Sequence, residues 1–280
     1  MARCRLPLLC VLAVLFGFVA LIAEPQRPQD QFVSVNGVRL QYLDWGGDGR
    51  ALVFLAGLGD DVHRFDALAP KFIDEYRAVG FTRRGQGLSE KPSSGYDLPT
   101  LTNDIRGFMD AERIDRATLI GHSMAGPEMT RFAAEYPERL TALVYLDAAY
   151  DFQRAYEVGL KTGLSKPNPD PSLEAISRAA RVRPDYQRVR VPALAFFSLW
   201  DRPYILPDMN EQTRTTSELV YRTLDASGYK REQVDLFKRE VEGSRVVEWH
   251  DTNHVFFSDP KHVDDTPRII REFLSSIARR

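Results

Sequence analysis

The chain has 280 residues and a formal net charge of −2 with no basic tract, so nucleic-acid binding has no electrostatic support. With 44% hydrophobic and 27% charged residues it has the make-up of a globular enzyme, with enough apolar material for one large α/β domain or two small ones. Its two cysteines, Cys4 and Cys10, sit in the first ten residues, so the rest of the chain can form no disulfide, thiolate nucleophile or cysteine-ligated metal site.

Residues 1–23 place Arg3 and Arg5 ahead of an apolar run from Leu6 to Ala23, the layout of an export signal. The run is also near the lower length limit for spanning a bilayer. Cleavage after Ala23 would put Leu21 three positions back, where a small residue is preferred. Residues 1–23 are therefore expected to be a signal peptide or a membrane anchor through 6–23, giving an exported (secreted or periplasmic) or membrane-anchored product. Polar, proline-containing residues 24–31 read as a linker, and residues 32–280 as the folded domain.

That domain opens with "FVSVNGVRLQYLDWG", in which apolar and polar residues alternate around Asn36-Gly37, a hairpin signal. Continuous apolar runs follow at 51–57, 77–85, 117–123, 140–148, 191–201 and 244–251, as expected of strands buried on both faces. Helical patterns fall between them. They are "RFDALAPKFIDEY", the stripe Leu98, Leu101, Ile105 and Phe108, the stripe Met129, Phe132, Ala133 and Tyr136, and the stripe Ile269, Ile270, Phe273 and Ile277. Two antiparallel strands followed by alternating strand and helix predict an α/β fold, a mostly parallel sheet with helices on both faces. Residues 150–190, with "KPNPDPS", are too long for a plain connection and are expected to form a short helical cap over a site. A second interruption, 202–243, carries two further helical segments.

The stretch "LIGHSMAGPEM" sets Ser123 between small residues at a predicted strand-to-helix corner. A serine hydroxyl is a weak nucleophile until a base removes its proton, and it must be reachable. A sharp turn at the carboxyl end of a central strand meets that need, and bulk two residues away would collide across it. Gly121 and Ala125 are both small, and Pro127 suits a first helical turn, which needs no N–H from it. The helix N-terminus then favours developing negative charge at the site.

An acid and a base are expected later, in the order Ser, Asp or Glu, His. Asp201 follows the apolar run 191–200, and His254 follows the next strand. Asp147, ending "LVYLDAA", competes with Asp201 because it too ends a strand, and His250 competes less well with His254 because it falls inside its strand. Among the other histidines, His122 adjoins Ser123 and is placed beside the sheet at the site edge, His63 near the pocket entrance, and His262 in an exposed final loop or helix. For an oxyanion, the backbone N–H groups of Met124 and Leu58 are the candidate donors, with Gly57 and Gly59 letting the "FLAGLGDD" backbone approach a ligand. Gly57, His122, Phe152 and Tyr156 are the candidate substrate-binding residues. No metal cluster or dinucleotide fingerprint is present: "GLGDD" lacks the third glycine and the helix spacing of that pattern.

With these pieces in order, residues 31–280 resemble the α/β-hydrolase fold family. "LAGLGDD" looks like its oxyanion loop, "FTRRGQGLSEKP" its D-x-R-G-x-G-x-S segment, "GHSMAG" its nucleophile elbow, "LWDRPYILP" its acid loop and "TNHVFF" its histidine loop. The departures are Ala56 where many members have histidine, Thr82 for the aspartate, and Ala125 for the second elbow glycine. The resemblance implies a serine hydrolase of small carboxylic esters, with no cofactor and with a small-molecule acyl substrate and water as partners. Ser123 would attack, His254 act as base, Asp201 orient it, and Leu58 and Met124 hold the oxyanion. A serine nucleophile argues against the relatives that use aspartate, the haloalkane dehalogenases and epoxide hydrolases. An amidase, lactonase, perhydrolase or C–C bond hydrolase on the same triad, and a non-catalytic ligand-binding module of this fold, are the alternatives.

Overall fold

The computed structural model describes residues 28–250 and 252–279. The signal peptide or anchor expected at 1–23 lies outside the described residues, as do residues 24–27 of the expected linker, and its last residue, Gln31, already belongs to the first strand; among the described residues no helix is long and apolar enough to cross a membrane.

Eight strands form one sheet in the order β1-β2-β4-β3-β5-β6-β7-β8. The first two, β1 (Gln31–Val35) and β2 (Val38–Gly46), are an antiparallel hairpin. Its turn is Asn36-Gly37, with φ of 50° and 77°, the paired positive values that a two-residue hairpin of matching twist requires. The hairpin packs antiparallel on β4 (Tyr76–Phe81), and all later pairings are parallel, through β3 (Arg50–Leu55), β5 (Ala117–His122), β6 (Leu140–Leu146), β7 (Ala193–Leu199) and β8 (Arg245–His250).

The apolar runs have no polar alternation because the sheet is covered twice. Successive residues feed opposite cores: Leu143 and Tyr145 one, Val144 and Leu146 the other. The first core takes Phe108 of α1 (Leu98–Ala111), Phe132 of α2 (Ala125–Glu135) and Phe237, a residue discussed below with its helix. The second takes Phe65 and Phe72 from 3-10 turns and Phe273 from the C-terminal helix, Asp265–Ala278.

One expected helix is absent. "RFDALAPKFIDEY" forms two 3-10 turns, Val62–Phe65 and Ala69–Phe72. An α-helix through that stretch would need an N–H at Pro70, which proline lacks. The apolar residues Phe65, Leu68, Ala69 and Phe72 are buried all the same.

Between β6 and β7 stand α3 (Phe152–Thr162) and α4 (Pro171–Ala179), each started by an aspartate, Asp151 and Asp170, that caps the first turn. Between β7 and β8 come α5 (Glu211–Val220), a π-helical turn at Tyr221–Asp225, and α6 (Tyr229–Glu240), which carries Phe237. These two insertions meet over the carboxyl ends of β5, β6 and β7. The C-terminal helix is α7 (Asp265–Ala278).

Candidate functional site

The corner after β5 is tight. Ser123 has φ of 53°, a left-handed backbone that a non-glycine residue adopts at a cost. Its N–H donates to Leu146 O at 3.2 Å, and its carbonyl accepts from Gly126 N at 3.0 Å, which closes the turn into α2. A methyl group at Gly126 would lie 1.9 Å from Ala148 O, so glycine is required there by the neighbouring loop. Ala125, the departure from the elbow pattern, is fully buried, and its Cβ would stand 2.9 Å from a methyl on Gly121. One methyl fits at this crossing if its partner has none.

The adjacent strand, β6, is followed directly by Asp147, whose φ is 47°. Its Oδ2 accepts from His254 Nδ1 at 2.6 Å, and its Oδ1 from Ser198 N at 2.9 Å and from the Tyr150 hydroxyl. Burial alone would raise this carboxyl's pKa. The charge of Lys230 and the hydrogen bonds from His254 and Tyr150 outweigh it and bring the pKa down to about 2. An ionised carboxylate only accepts, so His254 carries its proton on Nδ1 and leaves the Nε2 lone pair free as a base.

His254 is held from its backbone as well. His122 Nε2 donates to His254 O at 3.0 Å, and the two rings lie 4.4 Å apart. Burial, then the nearby His254, depress the His122 pKa well below the usual range, so His122 is neutral. Farther back in the same loop, Thr252 O accepts from Ser198 Oγ at 2.8 Å and from Trp200 Nε1 at 2.5 Å.

Ser123, Asp147 and His254 border one cavity of about 380 Å³. Its walls are otherwise mainly apolar: Phe152 and Ala155 from α3, Trp200 after β7, Val220 at the end of α5, Leu224 in the π-helical turn, and Tyr229 of α6. Lys230 is the exception. Its ammonium donates to Ser198 O at 2.6 Å, lies 3.5 Å from Asp225 Oδ2 and is 5.2 Å from the Trp200 ring centroid. Apart from that ion pair, Asp225 Oδ2 is buried without a hydrogen-bond partner among the described residues, and burial, against the pull of Lys230, raises this carboxyl's pKa to about 6.

The β3–β4 side supplies the remaining piece. The loop after β3 runs over the elbow so closely that a methyl on Gly57 would come 3.1 Å from Ser123 Cβ and 3.1 Å from His122 Nδ1. Neither the Leu58 nor the Met124 N–H finds an acceptor among the described residues, so both are free for a ligand atom. The Leu58 side chain packs with Leu173 and Ile176 of α4, joining this loop to the cap.

The sequence expectations thus come together in part. Ser123, His254, Leu58, Met124 and Gly57 meet, and Phe152 lines the cavity. Asp201 does not join them. It is 71% exposed and lies 3.2 Å from His250 Nδ1, while the carboxylate on His254 belongs to Asp147. The chain leaving β7 turns Trp200 inward, which leaves the next side chain facing solvent. Tyr156 is also elsewhere, its ring under the Arg181 guanidinium at 3.7 Å. His122 holds the histidine loop and is not among the cavity residues. His63 pairs with Asp66 and Asp30, and His262, expected to be exposed, is buried with its ring stacked 3.9 Å from Trp249. Lys230, Tyr229 and Trp200 carried no sequence signal as cavity residues: a lysine in a helix's first turn reads as solvated. Among the described residues no group of three or more His, Cys, Asp or Glu is placed to hold a metal ion.

Residues 50–239 match a family model described as the alpha/beta hydrolase fold. Among curated proteins the chain is 31% identical to epoxide hydrolase 1 of Caenorhabditis elegans over 117 residues, covering 41% of this chain and 29% of that one. It is 34% identical to a non-heme chloroperoxidase of Streptomyces lividans over 116 residues, covering 40% and 42%. The matched segments thus span well under half of those relatives. Among solved structures, E-2-(acetamidomethylene)succinate hydrolase superposes with a TM-score of 0.66 at 17% identity, covering 89% of this chain and 99% of that one. A bacterial membrane phospholipase A gives 0.65 at 19%, covering 91% and 88%.

Proposed function

This chain belongs to the alpha/beta hydrolase fold family, and from that premise we propose that it is a serine hydrolase that cleaves small carboxylic esters through an acyl-enzyme. The observation that carries the reading is the buried, ionised Asp147 on His254 Nδ1, with Ser123 on the wall of the same cavity. His254 Nε2 takes the proton of Ser123 Oγ as the oxygen adds to the ester carbonyl, and Asp147 stabilises the imidazolium that forms. The Leu58 and Met124 N–H groups receive the oxyanion, each worth about 10²–10³ in rate. His254 then gives its proton to the departing alkoxide, and water, activated by the same base, releases the acid. A largely apolar cavity of about 380 Å³ suits a short acyl chain.

The test is direct. Protein lacking residues 1–23 is expected to hydrolyse short p-nitrophenyl esters and to be labelled by a fluorophosphonate. Ser123→Ala is expected to lose both, with a fall in rate approaching about 10⁶ by the precedent of serine proteases. Unchanged hydrolysis by that variant sinks the reading. Turnover of amides, lactones or carbon–carbon substrates in place of esters would keep the triad and move the substrate class. We also propose that residues 1–23 direct export or anchoring. Fractionation of cells making the full chain, with N-terminal sequencing of the product, separates these two and overturns both if the intact chain stays in the cytoplasm.

A further inference from the structure

Arg83 stands in the segment that follows β4 and is almost wholly buried beside the site. Its guanidinium spans two elements. Nη2 donates to Ala56 O at 3.1 Å and Nη1 to Gly57 O at 3.4 Å, both in the loop after β3. Nε donates to Glu128 Oε1 at 2.7 Å, in the first turn of α2. Gln86, also buried, shares the work on the loop: its Nε2 donates to Gly57 O at 3.3 Å and its Oε1 accepts from Gly59 N at 2.6 Å.

Peptide planarity makes these bonds consequential. Gly57 C=O and Leu58 N–H belong to one rigid unit and point in opposite directions. Holding the carbonyl on Arg83 and Gln86 therefore aims the Leu58 N–H the other way. The Met124 N–H stands at the start of α2, the helix that carries Glu128. One side chain thus grips the element bearing each free N–H. Burying an arginine and a glutamate is costly unless their geometry is used, and burial does raise the Glu128 pKa despite the adjacent guanidinium.

We propose that Arg83 is a positioning residue that sets the distance and aim of the two oxyanion donors, bridging the Leu58 loop to the α2 N-terminus through Glu128. The inference rests on the serine-hydrolase reading. Arg83 touches no substrate. It acts when the ester carbonyl becomes tetrahedral, so its loss lowers kcat and leaves KM nearly alone.

The experiment compares the parent with Arg83→Met/Glu128→Met, a double variant that leaves neither charge buried without its partner. Folding is checked by thermal melting, and kcat and KM are measured on p-nitrophenyl butyrate. The inhibitor is a small alkyl trifluoromethyl ketone. Ser123 Oγ adds to its carbonyl carbon, the π bond opens to the oxyanion, and the serine proton passes to His254. We expect a folded protein with kcat down about 10²-fold, as for loss of one donor, KM within about twofold, and inhibitor affinity down in parallel with kcat. Arg83→Lys, which keeps a charge without the fork, is expected to remain impaired. A folded double variant with kcat within about twofold of the parent overturns the proposal, as does full recovery by lysine. Hydrogen exchange across residues 55–62 reads the brace without turnover: faster exchange in the double variant supports it, and an unchanged pattern overturns it. Absence of both turnover and Ser123 labelling in the parent counts against the hydrolase reading alone, and the exchange result then decides the brace.

Discussion

Two histidine–aspartate pairs stand at the carboxyl end of this sheet, and they differ in nearly everything but composition. Asp147 with His254 is buried on the acid's side, with a carboxylate 1% exposed at 2.6 Å and two further donors on its second oxygen. Asp201 with His250 lies in solvent, 71% and 47% exposed, at 3.2 Å. A pair in water gains little, because screening and side-chain entropy offset the attraction. A buried carboxylate that keeps its charge does so only because Lys230, Tyr150, Ser198 and His254 surround it. The contrast teaches that a strand-end position makes an acid available, and that its shell of donors makes it fit to orient a base.

The sharpest way to break this comparison is to neutralise each acid in turn. Asp147→Asn is expected to lower kcat on p-nitrophenyl esters by about 10⁴, the scale seen when a triad acid becomes an amide. Asp201→Asn is expected to stay within about twofold of the parent. Equal losses would mean that the exposed pair takes part in the chemistry.

Next in size is Lys230→Met, which removes the buried cation from the acid's surroundings. Stranding a buried charge costs about 3–5 kcal/mol, to be read from urea unfolding. With the ammonium gone the Asp147 carboxylate is less favoured and its pKa rises, so the loss of unfolding free energy below pH 4 sets in at higher pH than in the parent. An unmoved low-pH decline in a folded variant would show that Lys230 does not sustain Asp147.

The two buried carboxyls also leave opposite marks on stability. Asp147 has its pKa lowered from 3.8 to about 2, so its contribution is present above pH 3.8 and is lost as pH falls through 2, worth roughly 2–3 kcal/mol. Asp225 has its pKa raised from 3.8 to about 6, so its ionisation costs stability as pH climbs from 4 through 6, roughly 3 kcal/mol at most. Asp225→Asn is expected to remove that decline in unfolding free energy between pH 4 and 7. A decline equal to the parent's would place its source elsewhere. Smallest of all is His250→Gln, expected to change unfolding free energy by less than about 0.5 kcal/mol at pH 6.

Much of this molecule can be read from its sequence, for identifiable reasons. Apolar runs such as 51–55 reveal strands because both faces of the sheet are covered, and Asn36-Gly37 announces its turn because so few residues accept two positive φ values. Ser123 is legible because its corner imposes smallness on its neighbours. The acid is not, because Asp147 and Asp201 both end apolar strands and only the fold tells which side chain turns inward. Lys230 and Arg83 are harder still. Each looks like a surface cation, and each is buried by partners 30 to 50 residues away, such as Ser198 and Glu128. Tyr156 misleads for a local reason: helical spacing from Phe152 suggests a shared face, but the ring packs under Arg181, just past the end of α4.

The left-handed backbone at Ser123 and Asp147 has a consequence for how this protein can change over time. The two follow the ends of neighbouring strands, each in a conformation that costs a non-glycine residue about 1 kcal/mol or more. Glycine at either position would relieve the strain and abolish the group that occupies it. Selection for robustness alone would therefore not preserve serine and aspartate here, and their retention in a lineage is a sign that the groups are in use.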